Sequence, residues 1–267
     1  MALSEIDRNL LEKTATLAAL SPADKIVEIG PGLGNLTGYL LPHVSQLLAL
    51  EIDKGFVPIL QERFAADANF ELWHTDAAKA PLTEILEKLD AAAYGYKVVA
   101  NIPYQITSLL LGKFLETATP PERLILMIQR DVADRLLAAP PEMNPLAVLV
   151  QTVAEIKLLA RVKPEQFWPH PEVDSAVIGI YPQADRYQAV EDIAAFRRFV
   201  HHGFAARRKQ LAPLLAKAYD LPVATIRNAL TALTYPATAR AESIAAKDWK
   251  TLYTHLLTSR LFPIPLP

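Results

Sequence analysis

The chain has 267 residues, of which 51% are hydrophobic and 21% are charged, with a formal net charge of −2 and no cysteine. These values predict a soluble globular protein with one substantial core and a smaller second part, and they exclude disulfides, cysteine zinc clusters and a thiol nucleophile. The N-terminal stretch has no apolar run typical of a signal peptide, and no run of about 18 apolar residues predicts a membrane span, so we expect a cytoplasmic protein with no membrane partner.

Up to about Tyr181, short β-rich apolar runs alternate with segments of helical period. The strands are predicted over Lys25–Ile29, Gln46–Glu51, Asn69–Trp73, Tyr96–Ala100 and Arg123–Ile128. The helices are predicted over Ser4–Leu20, Lys54–Ala66, Thr83–Leu89 and Ile106–Glu116. This alternation predicts an α/β fold with a parallel sheet covered on both faces. Two further runs, Glu155–Val162 and Ala176–Tyr181, suit an antiparallel pair that finishes the sheet.

After Pro182 the pattern becomes helical. The predicted helices are Val190–Phe204, Arg207–Tyr219, Val223–Leu233 and Ala246–Leu257. We therefore predict an α/β domain over residues 1–183 and a small all-helical domain over residues 184–267. From Asp185 onward the chain has 12 Lys and Arg against 6 Asp and Glu, while the remainder has 15 against 23. This asymmetry suits a helical part that holds a polyanion and an α/β part that handles a small ligand.

A glycine-rich loop follows the first predicted strand, in the stretch Glu28–Asn35. Glycines at positions 30, 32 and 34 let the backbone approach a ligand at the carboxyl end of the strand, where open α/β sheets bind ligands. A dinucleotide dehydrogenase is the alternative, but its G-x-G-x-x-G pattern needs glycine at the position of Asn35. The spacing therefore favours a methyltransferase cofactor.

Acidic residues follow the next two strands. Glu51 ends the second strand and can accept hydrogen bonds from both ribose hydroxyls of a nucleoside. Asp76 follows the third strand and is placed to accept a hydrogen bond from an adenine amino group.

The fourth strand runs into Asn101-Ile102-Pro103-Tyr104. An exocyclic adenine amine is a poor nucleophile because its lone pair is delocalised into the ring. The Asn101 side-chain oxygen and the Ile102 carbonyl can each accept one of its N–H groups and favour an attacking geometry. Pro103 stiffens the turn, and Tyr104 offers a face on which the base can stack. The alternative is an ordinary strand-to-helix turn.

These motifs together resemble the ribosomal RNA adenine dimethyltransferase family. The segments that carry the resemblance are Glu28–Thr37, Glu51, Asp76, Asn101–Tyr104, Met127–Leu136, Phe167–Val177, Arg207–Leu211 and Ala239–Glu242. The resemblance implies a Rossmann-like class I methyltransferase sheet and S-adenosyl-L-methionine as cofactor. It also implies transfer of two methyl groups to each of two adjacent adenines near the 3′ end of small-subunit rRNA. The partner would be the small ribosomal subunit precursor, late in ribosome biogenesis, and the enzyme would be a monomer without a metal.

The resemblance assigns roles to residues of this chain. The adenine would be held by Asn101, Ile102, Pro103 and Tyr104, with Phe167 over its other face. The cofactor would be contacted by Gly30, Gly32, Gly34, Glu51, Ile52, Asp76, Ala77 and Asn101. The family usually begins with a Gln- and Phe-containing segment, whereas the sequence starts almost directly at the helix predicted from Ser4, so we expect either that the sequence is truncated before this helix or that its site closes differently.

A basic cluster marks the predicted helical domain. Its members lie around one helix–turn–helix junction: Arg197, Arg198, Arg207, Arg208 and Lys209. Such a cluster suits phosphate contacts with A-form RNA, and the alternative is a solvated helix face. Three other functions stay open: a large-subunit methyltransferase of the macrolide-resistance type, a DNA adenine methyltransferase, and a ribosome-assembly or organellar transcription factor without catalysis.

Overall fold

The computed structural model describes residues 5–6, 8–91, 95–102, 106–168, 172–183, 193–206 and 208–258. Residue contacts divide the chain into two compact units. The first consists of Met1–Ala133 and Ile156–Pro182, and the second of Asp134–Glu155 and Gln183–Pro267. In the described part of the chain, no helix is long and apolar enough to cross a membrane.

A seven-stranded sheet forms the centre of the first unit. Its strands are β2 Lys25–Ile29, β3 Gln46–Glu51, β4 Phe70–His74, β5 Lys97–Asn101, β6 Arg123–Gln129, β7 Ala154–Val162 and β9 Ser175–Pro182. They lie in the sheet in the order β4-β3-β2-β5-β6-β9-β7. The first five of these pair in parallel, and β9 is antiparallel to β6. The α/β class predicted from the alternating pattern is therefore confirmed.

The strand order reverses between β2 and β5, which are neighbours in the sheet. Loops that leave the carboxyl ends of these two strands diverge to opposite sides and open a crevice, where such sheets bind ligands. Both strands read as continuous apolar runs because the sheet is covered on both faces. Two buried charged side chains interrupt these runs, the Glu28 carboxyl in the middle of β2 and Lys97 at the start of β5.

Short helices follow the strands of the first unit. They are α1 Arg8–Leu17, α2 Asn35–Leu40, α3 Val57–Arg63, α4 Leu82–Lys88 and α5 Thr107–Leu115, with α6 Arg130–Leu136 at the division between the units. The prediction that the first helix starts at Ser4 was wrong for residues 5 and 6. These residues form a short strand, β1 Glu5–Ile6, antiparallel to β8 Phe167–Trp168. A helical apolar period extends through Ile6, but strand pairing with a distant segment overrides it.

The second unit is helical. Its helices are α7 Pro145–Val153, α8 Ile193–Gly203, α9 Leu211–Tyr219, α10 Val223–Ala232 and α11 Ala246–Thr258. Phe196, Phe199 and Trp249 are fully buried in its core. The helix Pro145–Val153 is not among the helices predicted from the sequence. This helix begins with a capping side chain, since Asn144 accepts a hydrogen bond from Ala147 N at 3.1 Å.

Candidate active site

The glycine-rich loop leaves the carboxyl end of β2. Gly30, Gly32 and Gly34 have φ of 65°, 59° and 77°, a left-handed conformation that costs other residues about 1 kcal/mol or more. A Cβ on Gly30 or Gly32 would meet no atom within 4 Å, so the loop backbone faces open space there. A Cβ on Gly34 would instead collide with Phe64 and lie 2.9 Å from Leu60 Cδ2. Gly34 therefore has a packing requirement, whereas Gly30 and Gly32 border a space that a ligand can enter.

Glu51 connects the loops that follow β2 and β3. Its buried carboxylate accepts hydrogen bonds from Gly32 N at 3.0 Å and from Asp53 N at 2.8 Å. A carboxylate offers about four lone-pair sites, so these two bonds leave acceptor capacity for vicinal hydroxyls. The next residue, Ile52, has 64% of its surface exposed, which is unusual for a large apolar side chain. An acceptor beside an exposed apolar surface fits a nucleoside.

The loop after β4 forms a tight turn that carries Asp76. Asp76 Oδ1 accepts a hydrogen bond from Ala78 N at 2.9 Å, and the Asp76 carbonyl accepts from Lys79 N and Ala80 N at 2.9 Å each. Ala77 is buried beneath this turn. His74 Nε2 lies 3.2 Å from the Ile52 carbonyl oxygen, a contact that connects the ends of β3 and β4. Asp76 and Glu51 thus lie on neighbouring loops at one edge of the sheet.

Glu28 was missed as a functional candidate by the sequence analysis. Its buried carboxyl accepts a hydrogen bond from Thr37 Oγ1 at 2.7 Å. Burial raises the pKa of Glu28 to about 8, the Thr37 bond lowers it, and the negative charge of Glu51 raises it. The available signal was a glutamate inside the otherwise apolar stretch Ile26–Ile29.

Asn101 ends β5 at the centre of the crevice. It lies opposite Met127 of β6 and is half-buried. Ile102 N donates a hydrogen bond to Met127 O at 3.0 Å, which fixes the backbone on which both predicted acceptors stand. Pro103 and Tyr104 lie outside the described residues. Phe167 pairs with Ile6 through the backbone, and its side chain lies outside the described part of the chain.

The basic cluster belongs to the second unit. Arg197 and Arg198 are exposed on α8, and Arg208 and Lys209 are exposed in the connection to α9. Arg207 lies outside the described residues. Two further exposed side chains in the last turn of α8 were not predicted, His201 and His202. The signal was their spacing of four residues from Arg197 and Arg198, which places them on the same helix face.

Comparison with known proteins identifies one family over nearly the whole chain. The family model described as ribosomal RNA adenine dimethylase matches residues 5–251. Curated relatives named ribosomal RNA small subunit methyltransferase A include one from Dehalococcoides mccartyi, 36% identical over 92% of this chain and 84% of the relative. Another, from Synechococcus elongatus, is 36% identical over 92% of this chain and 90% of the relative.

Solved structures share the fold. A dimethyladenosine transferase from Plasmodium falciparum superposes with a TM-score of 0.82 at 21% identity, covering 96% of this chain and 98% of that one. The 23S rRNA methyltransferase ErmE gives a TM-score of 0.73 at 24% identity, covering 94% of this chain and 98% of that one.

Proposed function

The chain belongs to the ribosomal RNA adenine dimethylase family, and from this premise we propose that it transfers methyl groups from S-adenosylmethionine to adenine N6 in small-subunit rRNA. It is an rRNA adenine dimethyltransferase. The target is two adjacent adenines near the 3′ end of the 16S rRNA, each of which receives two methyl groups. The curated relatives, named for the small subunit, favour this target over large-subunit rRNA.

The residues of the first unit fit S-adenosylmethionine, which supplies an electrophilic methyl group when bound. Gly30 and Gly32 would border the methionine part of the cofactor, since they face open space at the carboxyl end of β2. Glu51 would accept the ribose hydroxyls and Asp76 the adenine amino group. Ile52 would provide apolar surface for the adenine, with Gly34, Ala77 and Asn101 completing the contacts.

Catalysis would depend on acceptors that hold the target amine. The Asn101 side-chain oxygen and the Ile102 carbonyl would each accept one N–H of the amine and so leave its lone pair free to attack. Because Ile102 N is bonded to Met127 O of β6, the backbone that carries both acceptors would be ordered before the substrate arrives. Tyr104 and Phe167 would stack on the two faces of the flipped base and offset the cost of unstacking it, and Pro103 would stiffen the turn.

The remaining assignments concern RNA and domains. Residues 1–183 would form the catalytic domain and residues 184–267 the RNA-binding domain. Phosphate contacts would come from Arg197, Arg198, Arg207, Arg208 and Lys209. The protein would act as a monomer on the small ribosomal subunit precursor, in the cytoplasm, with a role in ribosome biogenesis.

The observation that carries the catalytic proposal is the position of Asn101 at the end of β5, beside the reversal in strand order. The test measures transfer of labelled methyl from S-adenosylmethionine to small subunits that lack the modification, with Asn101→Ala as the variant. Modified positions are mapped by reverse-transcription stops. We expect stops at two adjacent adenines near the rRNA 3′ end. We expect Asn101→Ala to lower the transfer rate by about 100-fold or more, as loss of one preorganised transition-state hydrogen bond does.

Asn228→Ala is the matched control, since Asn228 is exposed on α10 and belongs to none of the segments assigned to the cofactor, the adenine or the RNA. It should retain transfer. Stops in large-subunit rRNA would contradict the target. Full activity of Asn101→Ala would contradict the catalytic role. Binding of the subunit without any transfer would instead indicate an assembly factor without catalysis.

A further inference from the structure

Lys113 of α5 reaches the turn that carries Asp76. Its Nζ lies 2.5 Å from the carbonyl oxygens of both Ala77 and Ala80, 36 and 33 residues earlier in the chain. The two alanines are buried, and Lys113 is half-buried. The ammonium therefore contacts the turn from the protein side, through backbone atoms.

The Lys113 ammonium is partly removed from water, but it pairs with two backbone carbonyls of the turn. Burial lowers the pKa of Lys113, and the negative charge of Asp76 opposes this shift. The ammonium stabilises the two peptide carbonyls of the turn, because a charged donor forms stronger hydrogen bonds than a neutral one. An apolar side chain of similar length would leave these carbonyls without that donor. The Ala77 carbonyl belongs to the same peptide unit as Ala78 N, which bonds to Asp76, so the contact restrains the turn around Asp76.

The helix that carries Lys113 also follows the catalytic segment. Asn101 and Ile102 end β5, and α5 begins at Thr107 and ends at Leu115. Lys113 lies in the last turn of α5, where its contacts join this helix to the loop after β4. The helix α5 therefore contacts the turn that carries Asp76 and follows Asn101 and Ile102 in the chain.

We propose that Lys113 is a positioning residue for cofactor binding: it holds the Asp76–Ala80 turn in the conformation that receives the adenine of S-adenosylmethionine. This inference rests on the proposed function, because that function assigns the adenine to Asp76. Lys113 does not touch the cofactor. It acts through the backbone of the turn.

The test compares Lys113→Met with Lys88→Met. Lys88 also forms an ion pair, with Glu71 at 3.1 Å, but it lies at the end of α4, outside the turn, and the pair is of the weak surface kind. The probe is S-adenosylhomocysteine without RNA, measured by titration calorimetry on the full chain. We expect Lys113→Met to weaken binding roughly tenfold and Lys88→Met to change it by less than about twofold. Lys113→Arg, which keeps charge and donors, should recover most of the affinity.

Two further measurements separate positioning from general stability. Hydrogen exchange should accelerate in Lys113→Met at the amides of Ala78, Lys79 and Ala80, which bond to Asp76. In methyl transfer, KM for S-adenosylmethionine should rise while kcat and the KM for subunits stay unchanged.

Wild-type affinity in Lys113→Met, or an equal loss in Lys88→Met, would overturn the proposal. A Lys113→Met chain that fails to fold would also overturn it, because Lys113 would then serve the stability of the whole unit. If the wild-type chain does not bind S-adenosylhomocysteine, the proposed function itself fails.

Discussion

The Thr37 hydroxyl donates a hydrogen bond to Glu28 Oε2 at 2.7 Å, across the glycine-rich loop that separates their elements. The carboxyl is almost completely removed from water, and burial raises its pKa to about 8. A neutral Glu28 at physiological pH follows from this environment. The buried carboxyl is therefore a titrating group directly behind the glycines that border the proposed cofactor site.

Glu28 makes the stability of the fold depend on pH. Because its folded pKa lies above the unfolded value of about 4.5, the unfolded chain loses the proton first as pH rises. The contribution of Glu28 to the free energy of unfolding is therefore fully present below about pH 4.5 and is lost as pH rises toward about 8. We expect Glu28→Gln, which is neutral throughout, to exceed the wild type in unfolding free energy by roughly a few kcal/mol at pH 8.5. Urea denaturation at pH 5.5 and pH 8.5 measures the difference.

Thr37→Val is the matched variant for this pair. Removing the donor should raise the Glu28 pKa further and steepen the loss of stability at alkaline pH. Parallel pH profiles for the wild type, Glu28→Gln and Thr37→Val would contradict the assignment.

Gly32 and Gly34 should respond differently to the same substitution. Both have positive φ, so alanine costs about 1 kcal/mol at either position. At Gly34 the added Cβ also collides with Phe64 and Leu60, which adds the cost of overpacking. We expect Gly34→Ala to lower the melting temperature clearly more than Gly32→Ala does. Gly32→Ala should instead lose more affinity for S-adenosylhomocysteine per unit of lost stability, as calorimetry would measure. The reverse order would assign the open space to Gly34.

A buried ion pair at the opposite end of the sheet supplies a third prediction. Lys97 Nζ lies 2.6 Å from Asp24 Oδ2, and both side chains are largely buried. Burial acts to raise the pKa of Asp24, but the bonds from Lys97 and Ser21 outweigh it and the pKa is lowered. This contribution is present above the unfolded pKa and is lost as pH falls through the folded one.

Lys97→Met should therefore cost about 1–3 kcal/mol of unfolding free energy at pH 7 and less at pH 3. The exposed pair Lys88–Glu71 provides the control, because Lys88→Met should change stability by less than about 1 kcal/mol. A constant cost of Lys97→Met between pH 3 and pH 7 would show that lost packing rather than lost pairing is responsible.

The sequence predicted the strands well where burial alone defines them. Lys25–Ile29 and Gln46–Glu51 have the predicted bounds because each is an apolar run between turn residues. Local pattern failed at Glu5–Ile6 and Pro145–Val153. The first is strand only through pairing with Phe167–Trp168, and the apolar run of the second suits a buried helix and a buried strand equally.

The candidate site also contains residues that the sequence predicts and residues that it does not. Gly30, Glu51 and Asn101 are predictable because each lies at or directly after the carboxyl end of a strand that the apolar pattern defines. The contacts of Lys113 are not predictable, since its partner Ala77 is 36 residues away and contributes only a backbone carbonyl. No property of the alanine side chain encodes that contact.

The exposed pair Arg208 and Lys209, between α8 and α9, tests the RNA-binding proposal. Each phosphate contact releases condensed counterions, so removing two cations should weaken RNA binding. It should also make the negative slope of log affinity against log salt less steep, by about 1.5. The measurement is the affinity of Arg208→Ala/Lys209→Ala for small subunits at several salt concentrations. Lys217→Ala/Arg227→Ala removes equal charge from exposed positions on α9 and α10. A loss confined to the first variant supports direct phosphate contacts, whereas equal losses would mean that only net charge attracts the RNA.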